Sequence, residues 1–404
     1  MNEFIKKIIP VTLALSMFVG TSAFASTPTD TSAQTDTSIS TDSDTVTDTN
    51  TATDSDIAED TDTTTDSDKV EDTDTTTDSD IAKDTDTTTD SDATEDTDTT
   101  TPKFPDMPDD WTTEALEKAV ENGLLSGFDD GTIRPDDNIT RAQMATIVVR
   151  SFGATTDADI SKFTDVNEND WFYSYFSKAV QMGAFNGNDL NQLNPNNPIK
   201  FEECFKVIAC VFGLIADTKI YAEDSKYKND LQMQDLTVLD KFSDGNKVSD
   251  WAKPYVAAIV SGGYWDGIDG KLTPTEYITR AQFAVLMDNI VKTYITEPGT
   301  YTDLGEGNIL IKSPSVTIDN FTTDNNVIIS DGVSETEEGI NFTNCTFNGR
   351  LVVRGGGQNV NYQGFLKDFV VQNPGIVISV DITNLYEVTG YVCPGSQWSY
   401  TFGG

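Results

Sequence analysis

The pentapeptide Ile-Thr-Arg-Ala-Gln occurs twice, at residues 139–143 and 278–282, and residues 199–203 between them read Ile-Lys-Phe-Glu-Glu. A threonine followed three residues later by glutamine, at the start of an amphipathic run, predicts a capping box at a helix N-terminus. Thr140 and Thr279 are then the N-cap residues. The middle stretch has lost this cap, so the sequence predicts two equivalent helix starts and one divergent start.

Each of these stretches lies near the end of one copy of an internal repeat. Every copy opens with Phe-x-Asp and continues with tryptophan, a helical pattern, a glycine-rich turn and a second, amphipathic helical pattern. From the opening phenylalanine to the arginine position the copies measure 37, 38 and 38 residues. A single helix pair buries little core, so the repeat predicts three copies stacked around a shared one. The motif residues are Asp106, Asp165, Asp244, Trp111, Trp171 and Trp251.

An arginine follows each predicted threonine cap. Arg141 and Arg280 face the positive end of the helix dipole, which costs about 0.3–1 kcal/mol, so we expect a compensating partner. One hypothesis is an anion bound between the guanidinium and the free backbone N–H groups of the helix N-terminus. The alternative is an intramolecular ion pair, for example with Asp106 or Asp244. In the middle copy Phe201 replaces the arginine and two glutamates suit the dipole without a ligand, which indicates a packing role.

Over roughly residues 104–295 the copies resemble S-layer homology domains, on the motif Phe-x-Asp, Trp, Gly-x-(Trp/Phe), Pro and Ile-Thr-Arg-Ala-Gln. The resemblance implies a mainly α-helical pseudo-threefold trimer of repeats. Its grooves would bind secondary cell-wall polysaccharide, typically a terminal N-acetylmannosamine that carries a pyruvate ketal. The divergence at Phe201 puts one groove in doubt unless Lys200 substitutes.

The resemblance also assigns roles to individual residues. The two arginines would hold the ketal carboxylate, the three aspartates would bond sugar hydroxyls or order the turn, and the three tryptophans would line the grooves. A core position for each tryptophan is an equal alternative. The implied ligand-binding residues are Thr140, Arg141, Thr279, Arg280, Asp106, Asp165, Asp244, Trp111, Trp171 and Trp251.

The last hundred residues change to short runs of valine and isoleucine separated by Asn, Asp and Gly. This pattern predicts a small all-β domain, either a few rungs of a parallel β-helix or a sandwich. About four rungs fit the length by analogy with other solenoids. A carbohydrate-cleaving enzyme is one hypothesis for this domain. A cap, a partner-binding module or an assembly surface is the favoured one.

The N-terminal part has two segments of unusual composition. Two lysines, a short apolar run and Ala-Phe-Ala predict a signal peptide cut after Ala25, and the run is short for the alternative, a membrane anchor. The next segment has 24 acidic residues, two lysines and an Asp-Ser-Asp period of 12, which predicts a disordered spacer. Threonine O-glycosylation is an open alternative, whereas the lack of glycine disfavours a calcium loop. The expected segments are the leader 1–25, the arm 26–102, the repeats 103–154, 162–215 and 241–296, an insertion 216–240 and the β domain 300–404.

Composition excludes several classes of function. A net charge of −41 disfavours nucleic acid as a partner, and the absence of histidine excludes Ser-His-Asp and Cys-His catalysis. No segment after the leader predicts a membrane span. Cys204 and Cys210 are expected to be core thiols, whereas Cys345 and Cys393 either pair or stay free. No cysteine spacing fits a zinc site, so we expect neither metal nor cofactor.

Together these features predict a secreted, non-enzymatic protein held at the cell wall by its repeats, with a β domain whose partner the sequence does not name. The alternatives are a self-assembling S-layer subunit and a wall-anchored carbohydrate-active enzyme.

Overall fold

The computed structural model describes residues 104–215, 231, 233–383 and 388–402, which belong to one compact unit within residues 93–404. The expected leader 1–25, the acidic arm 26–102 and most of the insertion 216–240 lie outside the described residues. None of the helices in the described part of the chain is both long and hydrophobic enough for a membrane span.

Six α-helices in the described part of the chain form three successive pairs. The first helix of each pair follows the tryptophan of the motif, and the second begins at the position of Arg141, Phe201 or Arg280. Two short 3₁₀ segments, Leu236–Lys241 and Gly245–Lys247, precede the third pair. The helices are α1 (Thr113–Glu121), α2 (Arg141–Phe152), α3 (Tyr173–Gln181), α4 (Phe201–Val211), α5 (Lys253–Ser261) and α6 (Arg280–Ile290).

Both predicted capping boxes are confirmed. The Gln143 N–H donates to the Thr140 hydroxyl at 3.2 Å, and the Thr140 N–H donates to the Gln143 side chain at 2.9 Å. The two hydrogen bonds of the capping box between Thr279 and Gln282, at the start of α6, have the same lengths. In the middle copy only half of the box survives, because Lys200 offers no acceptor while Glu203 still accepts the Lys200 N–H at 3.0 Å.

Backbone hydrogen bonds close the three copies into a ring. Three buried isoleucines bond in a cycle: the Ile139 N–H donates to the Ile278 carbonyl, Ile278 to Ile199, and Ile199 to Ile139. In each copy, the first two N–H groups of the second helix also donate to carbonyls in the loop of the next copy. The N–H groups of the third copy donate to the loop of the first copy, which closes the ring. Each copy therefore completes its neighbour, which explains why the pattern occurs three times.

The C-terminal domain is a β-solenoid. Every strand pairing in the described residues is parallel, so the β-helix prediction is confirmed and the sandwich alternative is wrong. Strand β1 begins directly after α6, inside the segment expected to close the third repeat, and its sequence Val-Lys-Thr-Tyr-Ile is rich in the β-branched and aromatic residues that suit a strand. The strands are β1 (Val291–Ile295), β2 (Gly299–Tyr301), β3 (Asn308–Ile311), β4 (Val316–Asp319), β5 (Thr322–Thr323), β6 (Val327–Ile329), β7 (Ile340–Val353), β8 (Val360–Val371), β9 (Val377–Ile382), β10 (Thr389–Val392) and β11 (Gln397–Phe402).

The solenoid packs against the C-terminal ends of the helices. The Gly332 N–H donates to the Phe152 carbonyl at the end of α2 at 2.7 Å, and Arg350 donates to the Gly213 carbonyl just beyond α4 at 2.8 Å. The approach is close, since a Cβ atom on Gly332 would lie 2.9 Å from the Gly153 carbonyl oxygen. One column of the solenoid belongs to the helical core, namely Leu310, Ile328, Val352 and Val370. This column joins the helical core, whereas the interior of the solenoid forms a second core, and we call the contact between the two domains the seam.

All four cysteines are buried, and none of them forms a disulfide. The core position predicted for Cys204 and Cys210 is confirmed, whereas the pairing considered for Cys345 and Cys393 is wrong. These two thiols lie in different cores: Cys345 packs inside the solenoid, and Cys393 packs with the helical core at the seam.

Candidate functional site

The three motif aspartates each hold a tight turn. Both carboxylate oxygens of each residue accept backbone N–H groups at 2.7–2.9 Å, from Ile133 and Arg134 for Asp106. The second donor in each copy has a positive φ between 48° and 54°, which is costly for a residue other than glycine. Of the two roles implied for these aspartates, the structure shows the ordering of the turn. The equivalent contacts join Asp165 to Leu193 and Asn194, and Asp244 to Leu272 and Thr273.

Electrostatics at Asp106 agree with this role. Burial acts to raise the pKa of Asp106, but the backbone N–H groups of Ile133 and Arg134 outweigh it and hold the pKa below its ordinary value. The carboxylate is therefore charged at neutral pH and is engaged with the backbone. It is not the ion-pair partner of an arginine, and neither is Asp244, so the partners suggested by the sequence are wrong.

Arg280 is buried without a carboxylate partner among the described residues. Its Nε donates to the Ile133 carbonyl and its Nη2 to the Ser126 carbonyl, both at 2.7 Å. The guanidinium carbon lies 4.9 Å from the centre of the Phe128 ring, and 5 % of the residue is exposed. Burial lowers the pKa of Arg280, although an arginine stays charged at neutral pH. Asp137 and Asp106 act in the opposite direction, but neither contacts the guanidinium, which is surrounded by carbonyl dipoles and a ring face.

Arg141 has the same setting with one addition. Its Nε donates to the Leu193 carbonyl at 2.7 Å, and its guanidinium lies 5.2 Å from the Phe185 ring centre. Its Nη1 is also 3.5 Å from the Glu203 carboxylate of the next copy. Burial lowers the pKa of Arg141, and Glu203 and Asp165 act in the opposite direction. An ion pair therefore exists here, with an acid that the sequence did not suggest.

The aspartate of one copy positions the arginine of another through the turn between them. Asp106 fixes the N–H of Ile133, and the Ile133 carbonyl accepts the hydrogen bond from Arg280. Asp165 fixes Leu193, whose carbonyl accepts the bond from Arg141 in the same way. The two most distinctive residues of the repeat therefore act together, although they lie in different copies.

The backbone N–H groups of the helix N-termini are not free to bind an anion. The Arg141 and Ala142 N–H groups donate to the Asn197 and Pro195 carbonyls, and the Gln143 N–H donates to Thr140. The corresponding N–H groups of α6 donate to carbonyls in the loop of the first copy and to the Thr279 hydroxyl. The hypothesis that these backbone N–H groups bind an anion is therefore wrong, because they already donate to the carbonyl groups and side chains that close the ring of copies. Only the arginine side chain remains for a ligand.

The middle copy replaces the cation with an aromatic contact. Phe201 is buried and packs 5.3 Å from the ring centre of Trp265, which occupies in the third copy the position of Phe185 in the second. Glu202 is buried as well, and its carboxylate accepts from the N–H and hydroxyl of Ser249 at 3.0 and 2.8 Å. The packing role predicted for this copy fits these contacts, and Glu202 joins the second copy to the third.

The motif tryptophans are exposed, so the core alternative is wrong. The exposed fractions of Trp111, Trp171 and Trp251 are 62 %, 61 % and 51 %. Trp251 lines a cavity of about 770 Å³ together with Arg141, which we call the Arg141 groove. Trp171 lines a cavity of about 280 Å³ with Arg280, which we call the Arg280 groove. Trp111 lies in neither groove.

Both grooves contain residues that the repeat motif did not identify. Arg150, on α2, lines the Arg280 groove and donates to the Tyr175 hydroxyl at 3.0 Å. The i, i+3 spacing of positions 200, 203 and 206 could have indicated a charged face near the start of α4. The further residues that shape the Arg141 groove include Lys200, Glu203, Lys206, Tyr255 and Tyr277.

Comparison with known proteins supports the assignment of the repeats. The family model of the S-layer homology domain matches residues 103–145, 162–203 and 241–284. The "Surface-layer 125 kDa protein" of Lysinibacillus sphaericus is 26% identical over 288 residues, which cover 69% of this chain and 21% of that protein. The "S-layer protein sap" of Bacillus anthracis is 24% identical over 195 residues, 48% of this chain and 22% of that protein.

A relative named as an enzyme also matches. "Exoglucanase XynX" of Acetivibrio thermocellus is 23% identical over 190 residues, which cover 47% of this chain and 16% of that protein. The chain thus spans about a fifth of the length of these relatives.

Proposed function

We propose that the ring of helix pairs, in which the S-layer homology domain model matches three times, anchors this chain at the cell surface by binding cell-wall polysaccharide. The observation that carries the proposal is the arginine without a carboxylate partner in the Arg280 groove, which faces a cavity beside an exposed tryptophan. The Arg141 groove repeats this arrangement in a larger cavity.

The chemistry of these grooves suits a sugar that bears a carboxylate. A guanidinium has five N–H donors, and the protein uses two of them at Arg280, so donors remain for a ligand. A carboxylate would also relieve the desolvation of the buried cation. The exposed tryptophan offers an apolar surface to the ring of the same sugar. We propose a pyruvate ketal as the source of the carboxylate.

The closed ring of backbone bonds supports a pseudo-threefold arrangement with one groove at each junction. In this proposal the junction at Phe201 does not bind the carboxylate, because the place of the guanidinium is filled by the contact with Trp265. Two grooves are then active.

The proposal gives the chain no catalytic role. The absence of histidine removes the commonest acid–base side chain. A self-assembling S-layer subunit is the second candidate, favoured by the relatives named as surface-layer proteins. Electron microscopy of the purified protein separates it from a simple anchor, since a subunit of this kind forms two-dimensional sheets. A wall-anchored carbohydrate-active enzyme is the third candidate, and turnover of wall polysaccharide that disappears when residues 301–404 are deleted would favour it.

Calorimetric titration with pyruvylated and depyruvylated wall polysaccharide tests the anchor. Each of Arg141→Ala and Arg280→Ala should weaken its own groove by about 10- to 150-fold, and the double variant should no longer bind the pyruvylated polymer. Lys292→Ala removes an exposed cation outside both grooves and should bind like the wild type. Wild-type affinity in the double variant would overturn the proposal.

A further inference from the structure

The Arg141 groove contains two more cations than the repeat motif accounts for. Lys200 and Lys206 both line it, and they come from the start and the middle of α4 in the second copy. No carboxylate of the described residues forms an ion pair with either ammonium group, whereas Arg141 lies 3.5 Å from Glu203. In a chain with a net charge of −41, two such cations in one cavity are unusual.

Lys206 is held in place by neutral groups. Its Nζ donates to the Ala184 carbonyl at 3.1 Å. With the amide of Asn186 turned so that its oxygen faces the ammonium, that oxygen accepts a second bond at 3.2 Å. Both partners belong to the loop that forms one wall of the groove. These bonds fix the ammonium without neutralising it, which leaves its charge available to a ligand.

Glu203 interacts with the side chain of Arg141 but not with the side chains of the two lysines. One Glu203 oxygen accepts the Lys200 backbone N–H at 3.0 Å, and the other lies near Arg141. The acid therefore offsets part of the charge of Arg141. Neither lysine forms an ion pair with Glu203 or with Asp189, the other acid that lines the groove. The Arg280 groove differs, because its cavity is about 280 Å³ rather than about 770 Å³, and because its further cation, Arg150, contacts the hydroxyl and the ring of Tyr175.

From this geometry we propose that Lys200 and Lys206 form a second anion subsite in the Arg141 groove. This subsite selects a saccharide segment that carries two acidic groups. The inference rests on the proposed function, with the first acidic group at Arg141 and the second, a carboxylate or a phosphate, at the lysines. The Arg280 groove then accepts a segment with a single acidic group. The larger volume of the Arg141 groove accommodates the longer segment.

The test uses calorimetric titration of the protein in which Arg280 is replaced by alanine, so that one groove is measured. The probes are digalacturonate and glucuronic acid 1-phosphate, each with two acidic groups, and methyl glucuronide with one. We expect both diacids to bind about 10- to 150-fold more tightly than the monoacid, the range for one charge-assisted bond. If one diacid alone shows this preference, it identifies the second acidic group as carboxylate or phosphate.

The variant Lys200→Gln with Lys206→Gln keeps the length of both side chains and should abolish the preference for a diacid. Monoacid affinity should change by less than about threefold, because Arg141 is intact. Lys292→Gln, which removes an exposed charge elsewhere, is the matched control. Circular dichroism and thermal melting establish that each variant is folded.

Two results would overturn the inference. The first is a preference for diacids that survives in the double lysine variant. The second is an equal loss of monoacid and diacid affinity, which would show general electrostatic attraction only. Either result leaves the proposed function intact as long as the arginine variants lose the wall polysaccharide. Wild-type binding of that polymer by the arginine double variant would instead overturn the proposed function.

Discussion

Arg280 and Arg354 are both buried, with 5 % and 1 % of the residue exposed, yet their surroundings differ. Arg354 lies at the seam, where it bonds both oxygens of Asp331 at 2.6 and 3.2 Å and also contacts Gln372 and the Met182 carbonyl. Arg280 lies at the N-terminus of α6 and contacts two carbonyl groups and an aromatic ring.

The helix ends explain the difference. Met182 caps the C-terminus of α3, so Arg354 meets the negative end of a helix dipole as well as an acid. Arg280 meets the positive end of α6, and no carboxylate of the described residues contacts its guanidinium, although Asp137 and Asp106 act on it from farther away. The complete set of partners makes Arg354 a structural element, whereas the missing direct ion pair at Arg280 fits the ligand site proposed above.

The largest expected effect belongs to the seam. Arg354→Ala leaves Asp331 buried without its cation, so it should lower the free energy of unfolding by about 3–5 kcal/mol, measured by urea denaturation. Polysaccharide affinity should not change at temperatures where the variant is folded. Arg354→Met combined with Asp331→Leu removes both charges and should recover much of the stability. A loss of stability below 1 kcal/mol in Arg354→Ala would contradict the structural role.

Arg280→Ala should have a smaller effect on stability and a specific effect on ligand response. Loss of the donors to the Ile133 and Ser126 carbonyls should lower the free energy of unfolding by about 1–3 kcal/mol. Pyruvylated polysaccharide should raise the melting temperature of the wild type more than that of the variant. Arg280→Lys keeps the positive charge but lacks the planar guanidinium with its paired N–H donors, so it should bind the polysaccharide more tightly than Arg280→Ala and less tightly than the wild type. If the polysaccharide raised the melting temperature of Arg280→Ala as much as that of the wild type, Arg280 would be a structural residue like Arg354.

Asp106→Asn tests the turn that positions the Ile133 carbonyl, which accepts a hydrogen bond from Arg280. Because the folded-state pKa of Asp106 is below its ordinary value, its stabilising contribution is present above the unfolded pKa and is lost as pH falls through the folded pKa. The variant should be about 1 kcal/mol less stable than the wild type at pH 7. The difference should shrink below about pH 4. Urea denaturation at both pH values measures it, with the exposed Asp109→Asn as control. A difference independent of pH would contradict this role of the carboxylate.

The cysteines report which part of the molecule opens when the seam is weakened. Cys393 lies at the seam and Cys345 inside the solenoid, and burial raises the pKa of both thiols. In Arg354→Ala, a thiol reagent should label Cys393 at least about tenfold faster than in the wild type, the factor for a 1.4 kcal/mol easier opening. Labelling of Cys345 should change less, and equal acceleration at both positions would indicate global unfolding.

The sequence by itself determined the elements that depend on neighbouring residues. Thr140 with Gln143 and Thr279 with Gln282 specify helix starts, because a capping box needs only four consecutive residues. The short runs of valine and isoleucine indicated β-strands in the same local way, but they left both a parallel β-helix and a sandwich open. The divergence at Phe201 identified a copy without the arginine.

The tertiary structure decided which groups remain available to a ligand. Ring closure consumes the backbone N–H groups that appeared free at each helix N-terminus, and it brings Glu203 rather than Asp106 to Arg141. Cys345 and Cys393 stay apart because the seam places them in separate cores. These contacts join residues from different copies or domains, and local spacing carries no information about which surfaces meet when a chain buries its apolar faces.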